Sequence, residues 1–211
     1  LPHNAYRHLR DQPEALAEIS ARSEEARALV AKVLDEVYEL FDKPELFHLG
    51  ADEVRSITPR ADSAKSVGEI YSEHISHYIR QLIDHGARPM IWADIVLAHP
   101  ETVEILPREV IMCDWDYWTV EDPSQSIMAW GCTPARATAE SVFELPDWFV
   151  DRYSQYYTDE RGRVFTAWFY ADFLRNEGFD VVICPSVRCF GDNYCSPRAI
   201  HSYNVVSAGV R

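Results

Sequence analysis

The chain has 211 residues, 47% of them hydrophobic and 12% aromatic, a composition that suits a globular protein and not a disordered one. Its 34 Asp and Glu against 20 Lys and Arg give a net charge of −14, which repels phosphate backbones and anionic membranes. Nucleic acid and membrane are therefore not expected partners, and no apolar stretch approaches the roughly 18 residues that a membrane span needs. The five cysteines (Cys113, Cys132, Cys184, Cys189, Cys195) are odd in number and lack CxxC spacing. They read as buried free thiols, not as a zinc site or a disulfide framework, and lean toward a reducing compartment such as the cytoplasm. No signal peptide opens the sequence, which begins at Leu1 and reads as a piece of something longer.

In chain order, residues 23–41 carry apolar side chains at helical spacing: Ala26, Leu29, Val30, Val33, Leu34, Val37, Leu40 and Phe41. Ser23 is placed to cap that helix, with Glu24 and Glu25 in its first turn. Pro44 separates it from a short strand at 45–49, and a second helix is expected from about Val67 to His85, closed by Gly86. Further strands are expected at 89–93, 110–114 and 180–184. From Asp116 to about Arg163 the pattern loosens into Pro, Trp, Tyr and charged residues, which reads as a long excursion. A helix from about Phe165 to Asn176, stopped by Gly178, leads into the last strand, and 197–208 reads as one more helix.

Short apolar strands without period-2 alternation, separated by helices, predict an α/β fold with a parallel sheet. A polar cluster follows each strand: Asp52-Glu53, then Asp94, then Asp114 to Trp118, then Ser186 to Tyr194. Sites built from the C-terminal ends of several strands suit a (β/α)8 TIM barrel, and no glycine-rich phosphate loop favours a nucleotide-binding sheet.

The octet 47–54, Phe-His-Leu-Gly-Ala-Asp-Glu-Val, is the most informative segment. An adjacent acidic pair alone more often caps the segment after it. Here the pair follows an apolar strand, His48 and two small residues that leave room for a ligand. Strand alternation would put His48, Gly50 and Asp52 on one face, with Glu53 joining Asp52 only if the chain bends. Two carboxylates in a partly dry pocket cannot both ionise cheaply, so one keeps its proton and can act as a general acid.

These residues resemble the His-x-Gly-Gly-Asp-Glu signature of the family 20 glycoside hydrolases, the β-N-acetylhexosaminidases, with Ala51 in place of the second Gly. The resemblance implies a barrel present only from about strand four to strand seven, as a single domain over residues 1–211. Its excursion at about 116–163 becomes an insertion after strand six. The missing barrel segments or a second chain would be needed to close it. The implied substrate is an N-acetylhexosamine-containing glycan or glycoconjugate, with no metal or organic cofactor.

The resemblance assigns Glu53 as acid/base and Asp52 as the group that orients the substrate's 2-acetamido nucleophile. It implies support from His48 and from His3, in Leu-Pro-His. Trp92 matches a strand-five tryptophan, with Ala93-Asp94 in place of the usual Asp-Glu. Trp115, Tyr117 and Trp118 after strand six complete an aromatic wall, with Asp94 and Asp116 as hydroxyl-binding groups. After strand seven, Phe190-Gly191-Asp192 stands where the family has Tyr-x-Asp, so Tyr117 or Tyr194 would supply the tyrosine hydroxyl. That replacement motivates an alternative, a carbohydrate-binding barrel without catalysis. A metal-dependent hydrolase using His48, Asp52 and His3 has no HxH or HExxH spacing behind it.

Overall fold

Ser23 begins α1 (Glu24–Leu40) as its sequence predicts: the hydroxyl accepts from the Ala26 N–H, and Glu24 and Glu25 occupy the first turn. The computed structural model describes residues 4–57, 64–116, 126–133, 135–138, 141, 144–157 and 165–186. The chain forms two units, one of residues up to Ile91 with His99–Ile111, the other of Trp92–Ala98 with residues from Met112 on.

In the first unit, α1 precedes β1 (Leu46–His48), α2 (Val67–Asp84) and most of β2 (Arg88–Trp92). Helix α2 starts with a capping box in which Ser66 and Glu69 satisfy each other's backbone N–H. It ends in a Schellman motif: Gly86 at φ +90° bonds to Ile83 and Ala87 to Leu82, which leaves no orphan carbonyl at those positions. Strands β1 and β2 pair in parallel, Leu46 opposite Arg88, Phe47 opposite Pro89 and His48 opposite Met90. The two helices are pinned by Gln81, which donates to the Ala31 carbonyl at 2.9 Å and to Asp35 at 2.6 Å. Tyr38 adds a bond to the His85 carbonyl at 2.9 Å and packs with Leu82 and Ala87 against Phe47 and Leu49. The apolar stripe of α1 is only partly covered, since Ala26, Leu34 and Tyr38 are buried while Val33, Leu40 and Phe41 are exposed.

In the second unit, Ala93 donates to the Cys113 carbonyl at 3.0 Å, and Cys184 donates to the Asp114 carbonyl at 2.7 Å. These bonds set β3 (Ile111–Asp114) beside the residue after β2 and the residue after β6 (Asp180–Ile183). The segment read as an excursion contains structure: an antiparallel pair, β4 (Ser126–Met128) with β5 (Arg136–Thr138), and a helix, α4 (Asp147–Tyr157). The core is aromatic, with Phe149, Tyr153, Tyr157, Phe165, Phe169, Tyr170 and Phe173 all essentially buried. Most of the close ring pairs meet edge to face, such as Tyr153 with Phe173 at 4.9 Å. The helix expected from Phe165 begins later, as α5 (Phe169–Asn176), because Trp168 sits in the left-handed region at φ +57°. Gly178, at φ +88°, stops it as expected. The helix read over 197–208 lies outside the described residues, as do Cys189 and Cys195. Cys113, Cys132 and Cys184 are free thiols, and no helix of the described residues is long and apolar enough to cross a membrane.

Candidate active site

Strand β1 ends at His48, so the alternation expected to carry on through Asp52 does not hold. The chain turns instead: Gly50, Ala51 and Glu53 all take positive φ, at +76°, +70° and +49°. Left-handed backbone suits Gly50 but costs Ala51 and Glu53 on the order of 1 kcal/mol each. The turn is the bend that lets both carboxylates face one cleft. That cleft, of about 620 Å³, is lined by Leu49–Arg55 together with Glu18, Tyr71, His74 and Tyr78 and by aliphatic side chains of α1 and α2.

Several bonds hold this strained loop. The Gly50 N–H donates to His48 Nδ1 at 2.9 Å, which fixes that nitrogen as an acceptor and places the ring proton on Nε2. Partial desolvation holds the His48 pKa below the usual imidazole value, against the opposing charge of Asp52. Tyr71, on α2, donates its hydroxyl to the Ala51 carbonyl at 3.2 Å. Glu18 accepts from the Arg55 N–H at 3.1 Å and from both the N–H and hydroxyl of Ser56, at 2.8 and 2.5 Å.

The carboxylates differ from expectation in their surroundings. Asp52 and Glu53 are both exposed, and Glu53 accepts from the Arg55 guanidinium at 3.0 Å. The described residues by themselves therefore do not enclose the pair in the partly dry pocket expected from the sequence. Deeper in the same cleft, His74 is pushed down to about 4, by burial first and then by Arg27 and His77, and its Nδ1 has no hydrogen-bond partner. Tyr78 beside it is raised to about 12, chiefly by burial.

The second unit gathers another part of the predicted set. Asp94 opens the short helix α3 (Asp94–Ala98) and is buried. It accepts from the Trp115 indole N–H at 3.3 Å. The Trp115 ring lies 4.7 Å from that of Trp130, a tilted aromatic pair beyond the end of β3. Trp92, the last residue of β2, is half-buried. Asp116 is buried, and so is Asp114, whose oxygens make no side-chain hydrogen bond. Burial first, then Asp116 and Cys184, raise the Asp114 carboxyl well above its ordinary range, only partly opposed by the Ala171 backbone N–H. Tyr170 bridges two strand-end groups, donating to the Met128 carbonyl at 2.9 Å and accepting from the Trp130 N–H at 3.3 Å. Trp148 is partly exposed on α4, and Trp168 is core.

His3, Tyr117, Trp118, Asp192 and Tyr194, with Phe190, lie outside the described residues. Among the described residues, no group of three His, Cys, Asp or Glu could hold a metal ion. Glu18, Arg55, Tyr71 and His74 escaped the sequence reading. Their only signal is spatial, since Glu18 and Ser56 are 38 positions apart.

Comparison with known proteins adds a family. Residues 5–133, more than half of the chain, match glycosyl hydrolase family 20, catalytic domain. Among solved structures, the chain is similar to Dispersin B at 19% identity and TM-score 0.39, covering 48% of this chain and 27% of that one. It is similar to the β-N-acetylhexosaminidase from Bacteroides fragilis NCTC 9343 at 24% identity and TM-score 0.43, covering 54% and 23%. A third is the pneumococcal exo-β-D-N-acetylglucosaminidase StrH, at 13% identity and TM-score 0.41, covering 78% and 30%. The chain thus spans less than a third of each of these structures. No curated protein matches it.

Proposed function

The chain belongs to glycosyl hydrolase family 20, and from that premise we propose that it carries the acid/base centre of an exo-acting β-N-acetylhexosaminidase. The observation that carries this reading is the turn after β1, where left-handed backbone at Ala51 and Glu53 presents Asp52 and Glu53 to one cleft. Strained backbone persists where the surroundings over-determine it, and such positions cluster at functional sites.

In this reading Glu53 protonates the glycosidic oxygen and then takes a proton from the attacking water. Asp52 orients and polarises the 2-acetamido group of the substrate, whose carbonyl oxygen attacks the anomeric carbon. The substrate supplies the nucleophile, so the stereochemistry is retained without an enzyme-bound sugar. Trp92 and Trp115 offer apolar faces to a pyranose, and Asp94 and Asp116 are hydroxyl acceptors in the same scheme, with His48 supporting the carboxylates. His3, Tyr117, Trp118, Asp192 and Tyr194 belong to the scheme through sequence alone.

The fold in this reading is a (β/α)8 barrel of which β1, β2, β3 and β6 are strands four to seven, the whole chain being one domain. Exposure of Leu46 on β1 and of Val182 on β6 supports it, because each is a strand residue that a further barrel element would cover. Closure by further segments or a second chain follows from the same reading.

The test is a series of chromogenic N-acylglucosaminides with progressively fluorinated acyl groups, given to the natural full-length protein. Rates should fall with each fluorine, and equal rates across the series would sink the mechanism. A second reading, a carbohydrate-binding domain without catalysis, draws on the Glu53–Arg55 contact, since the guanidinium engages the carboxyl group that the first reading turns toward the glycosidic oxygen. Loss of about a hundredfold or more in hydrolysis on Glu53→Gln rejects that reading. Ligand affinity retained in Glu53→Gln, with no turnover in the parent, rejects the first.

A further inference from the structure

We propose that Glu18 is a positioning residue for the acidic loop; this rests on the reading of Asp52 and Glu53 as the reacting carboxylates. Glu18 lies well before α1 in the chain, 38 residues from Ser56, yet its carboxylate takes three hydrogen bonds from the two residues that leave the loop. Oε1 accepts from the Arg55 N–H, and Oε2 accepts from the Ser56 N–H and hydroxyl. Ser56 is almost fully buried, so its donors have no solvent alternative. Charge-assisted bonds of this kind are about twice as strong as neutral ones.

The geometry makes the clamp relevant to chemistry. Arg55 is held at its backbone by Glu18 and reaches with its guanidinium to Glu53 at 3.0 Å. Glu18 therefore sets where Arg55 starts from, and Arg55 meets the acid/base carboxylate. Ala51 and Glu53 sit in left-handed backbone that would relax if the ends of the loop were free. The loop is held from the strand side by His48, from α2 by Tyr71, and from the far end by Glu18. Of these three, Glu18 alone contributes a carboxylate that accepts from two consecutive backbone amides. A neutral Gln keeps the size of the side chain and one acceptor oxygen but loses the second, so the clamp cannot be complete.

The experiment uses the natural full-length protein with Glu18→Gln and Glu18→Ala, and Glu53→Gln alongside. Amide hydrogen exchange at Arg55 and Ser56 should speed up by about tenfold or more in both Glu18 variants. The turnover number should fall roughly tenfold to a hundredfold with KM nearly unchanged, because misplacing a catalytic group by an ångström costs rates of that size. Unchanged exchange at Arg55 and Ser56 overturns the clamp. Faster exchange with an unchanged turnover number overturns the positioning role while leaving the function of Glu53 intact. Full activity in Glu53→Gln overturns both that function and this proposal. Should Glu18→Ala fail to fold, Glu18→Gln decides each of these outcomes.

Discussion

The Tyr71 hydroxyl donates to the Ala51 carbonyl at 3.2 Å, tying the helix after the acidic loop to one of the loop's left-handed residues. The bond spans 20 residues of sequence and fixes a peptide immediately before Asp52. Tyr71 itself is nearly buried, at 2% exposure, so its ring is held by packing and its hydroxyl is aimed. Tyr71→Phe keeps the ring and removes the bond. It should cost about 1 kcal/mol of stability, the usual net worth of such a bond. Urea unfolding of the variant beside the parent measures it. A midpoint equal to the parent's would mean that water already shares this carbonyl.

Ala51 stands at φ +70°, where the family signature places glycine. An L side chain there is strained, and glycine is not, although glycine gains entropy in the unfolded chain. The two effects oppose each other and the strain is the larger. Ala51→Gly should therefore raise stability by roughly 0.5–1 kcal/mol, read as a higher melting temperature. Gly50→Ala should do the opposite, since Gly50 is at φ +76° and an added Cβ would stand 3.7 Å from Asp52 Oδ1. The cost there is conformational and not a collision.

These local features mark where the sequence could be read and where it could not. Strands β1, β2, β3 and β6 fall within a residue or two of their expected places because each is a short apolar run with turn chemistry on both sides. Ser23 and Gly86 were legible as caps for the same reason: the chemistry of a helix end is local. Helix α4 was not read, although Phe149, Tyr153 and Tyr157 recur every four residues and all turn inward. Pro146, Trp148 and the acidic residues around them masked that stripe. Strands β4 and β5 are three residues each, too short for any period to show. Within the site, the Asp52-Glu53 pair was legible as a motif. Of its three clamps only the one from His48 is local; those from Tyr71 and Glu18 reach across 20 to 38 residues, which no local pattern encodes.

In the second unit, Tyr153 is fully buried and donates to the Leu97 carbonyl at 2.8 Å. Leu97 belongs to α3, the short helix whose first residue is Asp94, so this bond anchors the far end of the segment that holds the Trp115 partner. Tyr153→Phe leaves a buried carbonyl without its donor and should cost about 1–3 kcal/mol. The ring contacts with Phe149, Phe169, Tyr170 and Phe173 survive the change, so the loss reports the hydroxyl alone. Thermal unfolding measures the loss. Trp115 fluorescence is a second readout, because a looser α3 lets its indole N–H leave Asp94.

His74 gives the first unit a defined acid sensitivity. Its imidazole is lowered to about 4, by burial, by Arg27 and by His77, with Asp11 opposing, and its Nδ1 has no partner that protonation could strengthen. The unfolded chain protonates the same ring near its ordinary value of about 6.5. Between those two values the unfolded state binds more protons than the folded one, so stability rises with pH through this window. The stabilising contribution is complete above about pH 6.5 and is lost as pH falls toward 4. The loss should be roughly 2 kcal/mol once the water that reaches the ring is allowed for. His48, also lowered, adds in the same direction. Urea unfolding at pH 7 and at pH 4.5 should show the parent losing more stability than His74→Leu over the same interval. Equal losses in the two proteins would show that the ring titrates normally in the folded state and that its burial has no consequence for pH.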